Sequence, residues 1–302
     1  MLDRVVKIVR PDGGTGSGLY LPGEQVLTTL HVVDGSPGIY VRFRNGEQVE
    51  ADVLAVDLSK DLALLSLRAA PDTAGAAGFS VIAAPPNPGA ALVAIGHPLG
   101  LDWAVTGGHY NGLRQPGSEP LPRLGITLGV PLVQVDVTIN AGNSGGPVID
   151  AEGRLVGLAD SIINPAVANN IGFAIYAPAA WEFWQASREA GEPLVAFDCK
   201  HHHPAGTTYC PRTGRPVVPA APVPMPTAES IPYTCGHRHP PGLQFCPLIG
   251  KPILPDSGEL AEPVYTQVSN RAAFDEYTCT NCGTRFEASL GYCPQCGKPI
   301  SS

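Results

Sequence analysis

Apolar residues occur in short runs along the first two thirds of the chain, and clusters of glycine, proline and asparagine separate these runs. One segment, Ala177 to Ala190, reads as a helix, with Pro178 in its first turn and aromatic residues for packing. Short strands between turn residues predict an all-β barrel or sandwich. The strand-like runs are Val5 to Val9, Ile39 to Phe43, Ala91 to Ile95, Leu132 to Val137 and Leu155 to Leu158.

The composition of the chain changes near residue 196. Of its 302 residues, the first 195 carry the whole net charge of −8, because the remainder holds eight basic and eight acidic residues. All eight cysteines lie between Cys199 and Cys296. The length favours more than one domain, and the lack of a basic patch in either part argues against nucleic acid as a partner. Since no long apolar segment occurs, we predict no membrane partner and a cytoplasmic location.

Ser144 is the candidate nucleophile, because it lies between glycines in the run Gly142-Asn143-Ser144-Gly145-Gly146-Pro147. Glycines permit a tight turn and a close approach of the backbone to a substrate carbonyl. The loop predicts an oxyanion hole at Gly142, Asn143 and Ser144, with the amides of Gly142 and Ser144 as donors. A Gly-Asn-Ser-Gly run also makes ordinary turns, so the run alone does not define a catalytic site.

A histidine and an aspartate upstream of Ser144 complete a candidate catalytic triad. His31 ends an apolar strand-like run, and Asp61 precedes another one. A serine nucleophile needs a base to accept its proton and a carboxylate to orient that base. The order His31, Asp61, Ser144 supplies these groups, although spacing alone leaves Asp57 as a second candidate for the carboxylate.

Six motifs together resemble the HtrA/DegP type of trypsin-like serine proteases: Gly14 to Leu21, Leu27 to Val33, Asp61 to Leu65, Ile95 to Gly100, Gly142 to Pro147 and Ile171 to Ile175. The resemblance implies a chymotrypsin-like fold of two antiparallel β-barrels with the active site in the cleft between them. It implies a serine endopeptidase, and it assigns the carboxylate to Asp61.

The residues predicted to line the pocket for the substrate side chain before the cleaved bond are mostly small or apolar. The floor contains Thr138 and Ile139, and the walls contain Ala159, Asp160 and Gly172. No acid lies in the floor, so we expect a preference for small or medium apolar side chains, graded by about 1–3 kcal/mol per methylene. Asp160 is interpreted as a solvated loop acid, with contact to a neighbouring subsite as the alternative.

The tail contains three related cysteine modules. The last has two Cys-x-x-Cys pairs, which predict a zinc ribbon with four thiolate ligands: Cys279, Cys282, Cys293 and Cys296. The two earlier copies predict sites with two cysteines and histidine ligands: Cys199, His201, His203 and Cys210 in one, and Cys235, His237, His239 and Cys246 in the other. Three alternate residues of a straight strand span about 13 Å, so His201 and His237 are the preferred histidines, with His202 as a substitute in the first copy.

Disulfide pairing of these cysteines is the alternative to zinc, and it requires an oxidising compartment. The repeated Cys-x-x-Cys pattern favours up to three structural zinc ions, which stabilise modules too short to build a core.

These features divide the chain into a protease domain at 1–192, Cys/His zinc modules at 196–217 and 233–253, and a zinc ribbon at 275–302. A proline-rich linker at 218–232 and a second linker at 254–274 join them, and we expect the modules to reorient relative to the protease. We predict a serine endopeptidase for protein or peptide substrates, with zinc modules that recruit a partner or substrate protein. The alternative is a catalytically dormant protease fold that serves as a zinc-ribbon adaptor.

Overall fold

The computed structural model describes most of the first 221 residues and short pieces beyond them: residues 2–71, 79–98, 101–118, 121, 126, 128–162, 171–221, 231–232, 238–239, 276–278 and 285–287. The chain forms two compact units, Met1–Met225 and Pro226–Ser302. Among the helices of the described ranges, none has the length and apolarity that crossing a bilayer requires.

The first unit begins with a closed antiparallel barrel of six strands. These are β1 (Val5–Val9), β2 (Thr15–Leu21), β3 (Gln25–Thr29), β4 (Tyr40–Arg42), β5 (Gln48–Asp57) and β6 (Leu62–Leu67). They close in the order β1-β2-β3-β6-β5-β4. Phe43 is fully buried inside the barrel and meets Tyr20 edge to face, with ring centroids 5.2 Å apart.

A second closed antiparallel barrel follows, with strand order β10-β11-β12-β9-β8-β7. Its strands are β7 (Ala91–Gly96), β8 (Ala104–Arg114), β9 (Leu132–Val135), β10 (Pro147–Asp150), β11 (Leu155–Ile162) and β12 (Gly172–Tyr176). The prediction of two antiparallel barrels is confirmed.

A third apolar cluster lies between the barrels and explains why some strands are apolar on both faces. Leu62 and Leu64 of β6 face this cluster, whereas Ala63 and Leu65 face the interior of the first barrel. Successive side chains of a strand point to opposite faces, so a strand that is buried on both sides reads as a continuous apolar run. The packing of the two barrels against each other fixes the cleft between them.

Three helices accompany the barrels in the described ranges: a 3₁₀ helix (Leu2–Arg4), α1 (Leu30–Val33) and α2 (Ala177–Ser187). Helix α2 ends three residues before the predicted Ala190, and it packs its aromatic face on the inter-barrel cluster. The Trp184 indole donates to Gln25 Oε1 at 2.9 Å, which ties α2 to the first barrel. Helix α1, a single turn, was not predicted.

The first part of the cysteine-containing tail belongs to the same compact unit as the barrels. Strand β13 (Val195–Ala196) pairs with β14 (His202–His203), and the Leu194 amide donates to Val53 O at 2.7 Å. The expectation that this module reorients relative to the barrels is wrong, because the module belongs to the same compact unit and its His202 accepts a hydrogen bond from the Gly35 amide at 3.2 Å.

The second unit is described only in two short antiparallel pairs: β15 (Ile231–Pro232) with β16 (Arg238–His239), and β17 (Glu276–Thr278) with β18 (Arg285–Glu287). Seven predicted ligands of the second and third modules lie outside the described residues: Cys235, His237, Cys246, Cys279, Cys282, Cys293 and Cys296. His239 is described only through its backbone in β16.

Candidate active site

Asp61 fixes the position of His31 through two hydrogen bonds to His31 itself and one to the preceding Leu30. One carboxylate oxygen accepts from the His31 amide at 2.9 Å, the other lies 2.5 Å from His31 Nδ1, and the Asp61 carbonyl accepts from the Leu30 amide at 2.9 Å. Asp61 adopts a left-handed backbone, with φ of 54°, which aspartate tolerates better than most residues. The start of α1 is therefore anchored to the turn before β6.

Asp57, the second candidate for this carboxylate, is engaged in its own turn. Its Oδ1 accepts from the Ser59 amide at 3.0 Å, the Ser59 hydroxyl at 2.7 Å and the Lys60 amide at 3.1 Å. Lys60 Nζ lies 3.1 Å from the other oxygen. The structure thus brings Asp61, and not Asp57, to His31.

The loop that carries Ser144 needs glycine at two positions. Gly142 and Gly145 have φ values of 101° and 82°. A Cβ at Gly142 would overlap the His97 carbonyl, and one at Gly145 would overlap the Ser17 carbonyl and Thr28 Oγ1. The loop of the second barrel can therefore approach β2 of the first barrel only because these side chains are absent.

Ser17 connects the two barrels at this loop. Its amide donates to the Ser144 carbonyl at 2.8 Å, and its hydroxyl donates to the Gly142 carbonyl at 2.7 Å. His97, fully buried at the end of β7, places Nδ1 3.0 Å from the same hydroxyl. Because the Ser17 proton is used on Gly142, this contact requires the His97 tautomer with a proton on Nδ1.

Asp160 contacts both His31 and Ser144. One of its carboxylate oxygens lies 3.9 Å from His31 Nδ1, and its main-chain carbonyl accepts from the Ser144 hydroxyl at 3.2 Å. The residue is 8% exposed, so its interpretation as a solvated loop acid is wrong. A bulge in β11 between Ala159 and Ser161 accompanies this placement. Bulges re-aim side chains and leave no clear mark in the apolar pattern.

Three further predicted pocket residues lie close together beside the loop. Ile139 and Ala159 are buried, and a Cβ on Gly172 would stand 3.0 Å from Ile139 Cδ1. Thr138 is exposed, and its carbonyl accepts from the Thr106 hydroxyl at 3.2 Å and from Asn143 Nδ2 at 3.3 Å. Asn143 is 2% exposed, so its side chain stabilises the loop from inside.

The pKa of His31 reflects two opposing effects. Burial lowers the pKa of the imidazole, whereas the hydrogen bond and charge of Asp61 and the charge of Asp160 raise it. Arg10 acts in the lowering direction, and the net pKa is raised above its ordinary value. Two carboxylates therefore favour the protonated form of this histidine.

A separate cluster of potential metal ligands lies in the tail of the first unit. The ligand atoms of Cys199, His203 and Cys210 all lie within 4.8 Å of one another, and Cys199 Sγ is 3.3 Å from His203 Nε2. His201, the histidine preferred from the sequence, instead places Nδ1 3.1 Å from Asp34. His202 Nδ1 accepts from the Gly35 amide at 3.2 Å. The structure thus brings His203 rather than His201 to the cysteines.

Residues 16–158 match the family of trypsin-like peptidase domains, which covers the double barrel from β2 to β11. This segment, just under half of the chain, is similar to trypsin-like peptidase domains. It is homologous to serine proteases of the HtrA/DegP type: the protein named serine protease HhoB of Synechocystis is 37% identical over 168 residues, which are 54% of this chain and 37% of HhoB.

The fold agrees with this assignment. The HtrA-type protease AlgW, whose structure was solved with a tripeptide, superposes with a TM-score of 0.53 at 27% identity, covering 62% of this chain and 61% of AlgW. The chain matches well under half the length of its curated relatives.

The predicted cytoplasmic location is wrong. A relative from Haemophilus influenzae, 33% identical over 59% of this chain and 38% of its own length, is named as a probable periplasmic serine protease. DegP-like relatives from other bacteria are also named as periplasmic. These homologues point to the periplasm.

We predict that Asp160→Asn lowers the pKa of His31, because the substitution removes one of the two charges that favour the imidazolium. The pKa is measured by following the His31 ring resonances against pH by NMR. Asp57→Asn is the matched control, since Asp57 is bonded within its own turn, and it should leave the titration of His31 unchanged. A His31 pKa that stays the same or rises in Asp160→Asn contradicts the prediction.

A second prediction concerns His97. Burial lowers its pKa to about 4, below the ordinary value of 6.5. Its contribution to stability is therefore present above about pH 6.5 and is lost as pH falls towards 4, with a maximum loss of about 3 kcal/mol in the free energy of unfolding.

Urea denaturation at several pH values measures this loss. His97→Gln removes the titrating group, so its free energy of unfolding should depend less steeply on pH over this range than that of the wild type. Equal slopes for the two proteins would show that His97 does not remain neutral in the folded state.

Proposed function

We propose that the first unit is a serine endopeptidase in which Ser144 is the nucleophile, His31 the general base and Asp61 the carboxylate that orients the base. The observation that carries the proposal is the pair of bonds from Asp61 to His31, together with the contact of both His31 and Ser144 with Asp160. With Nδ1 held by Asp61, Nε2 is the nitrogen that accepts the serine proton.

In the proposed reaction the Ser144 hydroxyl first leaves the Asp160 carbonyl and turns towards His31 Nε2. The oxygen then attacks the peptide carbonyl while its proton passes to His31, and the imidazolium returns that proton to the leaving amine. This step leaves an acyl-enzyme. A water molecule, deprotonated by His31, releases the second product and restores Ser144.

The oxyanion of each tetrahedral intermediate is assigned to the amides of Gly142 and Ser144. In the described ranges neither amide donates to a protein acceptor. Ser17 and His97 hold the Gly142 carbonyl from behind, which fixes the direction of the adjacent peptide groups before substrate binds. Loss of one such donor typically costs about 3–4 kcal/mol of transition-state stabilisation.

Small or medium apolar side chains are the proposed preference at the position before the cleaved bond. Ile139, Ala159 and Gly172 supply an apolar surface beside the loop. The one acid among the predicted pocket residues, Asp160, directs its carboxylate to His31. Protein or peptide substrates fit this site, in line with the tripeptide held by AlgW.

The second unit is proposed to carry zinc modules that recruit a partner or substrate protein. The support is the repeated cysteine and histidine pattern, with ligands Cys235, His237, His239 and Cys246 in one module and Cys279, Cys282, Cys293 and Cys296 in the other. The periplasmic names of the relatives give more weight to disulfides than the sequence alone did, because that compartment is oxidising.

A fluorophosphonate probe tests the nucleophile. Wild-type protein should label at Ser144, and Ser144→Ala should lose both labelling and peptide cleavage, the latter by on the order of 10⁶-fold in kcat. Ser161→Ala is the matched control, because this serine of β11 is not part of the proposed triad, and it should retain labelling. A wild-type protein that never labels would instead favour a dormant fold acting as an adaptor.

The pocket assignment predicts a change of selectivity in Ile139→Ala. Removing the buried side chain beside Gly172 enlarges the pocket, so kcat/KM should rise for larger apolar residues relative to alanine or valine by about 10-fold or more. A cleavage-site profile from a peptide library measures the shift, with Ser144→Ala protein as the blank. An unchanged profile would remove Ile139 from the pocket.

A further inference from the structure

We propose that Cys199, His203 and Cys210 bind one zinc ion, and that this ion locks the tail of the first unit onto the helix that carries His31. The metal state of the tail then controls the protease. This regulation rests on the proposed function, whereas the metal site itself does not.

The donor set fits zinc. Two thiols and one imidazole converge, Cys210 and His203 are buried, and both cysteines are free thiols in the structure. Tetrahedral zinc with bond lengths of about 2.0–2.3 Å places its sulfur and nitrogen ligands about 3.5 Å apart, which is close to the 3.3 Å between Cys199 Sγ and His203 Nε2. Soft thiolates with imidazole favour zinc over hard cations such as calcium.

Three ligands leave one coordination position open. His201 is not among the three clustered ligands, because its ring is turned to Asp34. Thr213 follows Cys210 at the position where the last module has a cysteine, and its amide donates to the Cys210 carbonyl. A zinc ion with three protein ligands completes its coordination with water or an exogenous ligand.

The residues next to the metal ligands make the contacts with the first barrel. His201 and His202 lie between Cys199 and His203, and Arg212 lies two residues after Cys210. Arg212 Nη1 donates to Asp34 Oδ2 at 2.7 Å, and His201 Nδ1 lies 3.1 Å from the same oxygen. Both segments that supply metal ligands thus converge on Asp34.

Asp34 is the residue that ends α1, and His31 lies in the single turn of that helix. The Asp34 amide donates to the Leu30 carbonyl at 2.8 Å. The next residue, Gly35, has a φ of 68° and packs against the Lys200 backbone so closely that a Cβ would overlap it. The tail is therefore one helical turn from the candidate base.

Metal binding supplies much of the folding free energy of modules this small. Loss of the ion separates the segment of Cys199 from that of Cys210. Because His201 and Arg212 lie on these two segments, their contacts with Asp34 weaken as well. Helix α1 then keeps its bonds to Asp61 but loses its support at the other end. We expect lower reactivity of Ser144, because His31 is less well positioned.

The test uses the full chain, with zinc measured by elemental analysis and Ser144 reactivity by the rate of fluorophosphonate labelling. Cys210→Ser should lose one zinc per chain and label at least about 5-fold more slowly, the lower end of typical allosteric coupling. Tyr209→Phe, a conservative change at the exposed neighbour of Cys210, should leave both the zinc content and the labelling rate unchanged. Chelation of the wild type should slow labelling, and added zinc should restore it.

Asp34→Ala distinguishes zinc binding from the coupling of zinc to the reactivity of Ser144. This variant retains the metal ligands, so it should keep its zinc while its labelling rate becomes insensitive to chelation. Cobalt substitution is the second readout in case Cys210→Ser misfolds. The difference spectrum between the cobalt-loaded wild type and the cobalt-loaded variant should show the visible bands of a tetrahedral site with thiolate ligands.

Three results overturn the proposal: equal zinc content in wild type and Cys210→Ser, a Cys199–Cys210 disulfide in place of zinc, or labelling that does not respond to zinc. If the wild type never labels, the proposed function fails. The metal site is then judged by zinc content, and the coupling by whether chelation increases amide hydrogen exchange in residues 30–36.

Discussion

The candidate active site depends on the contact between Ser17 in the first barrel and the Ser144 loop in the second. Each barrel closes on itself, and among the described strands none is shared between the two. Two hydrogen bonds from Ser17 and the missing side chain of Gly145 allow the loop to rest on β2. The first barrel thus contributes His31 and also supports the conformation of the Ser144 loop.

The site also has an uneven charge distribution. His31 faces Asp61 at hydrogen-bond distance and Asp160 at 3.9 Å, whereas the backbone around Ser144 presents amide donors. In the proposed reaction, two carboxylates stabilise the imidazolium that forms during acyl transfer, and they also favour that form in the absence of substrate. If His31 is the base, the same two carboxylates that strengthen it also lower the fraction of neutral imidazole in acid.

The sequence predicted an all-β barrel or sandwich from its apolar runs and turn residues, but it needed the resemblance to HtrA/DegP-type proteases to give two barrels and to prefer Asp61 over Asp57. It did not show α1, since a single helical turn is too short for a periodic pattern. The inward Asp160 accompanies a bulge, which has no clear sequence signal. The exchange of His201 for His203 at the cysteines depends on Asp34, which is more than 160 residues away in the chain. Such long-range partners cannot be read from local spacing.

The backbone bridge between Leu194 and Val53 belongs to a compact unit that extends well beyond the segment matched by the peptidase family. The peptidase match stops at residue 158, but the compact unit continues to Met225. A fragment cut after α2 would remove the backbone bond from Leu194 to Val53 and leave Asp34 without Arg212 and His201. An isolated fragment that keeps the first unit intact therefore has to include the tail at least through Ala220, whose amide donates to the Ala196 carbonyl.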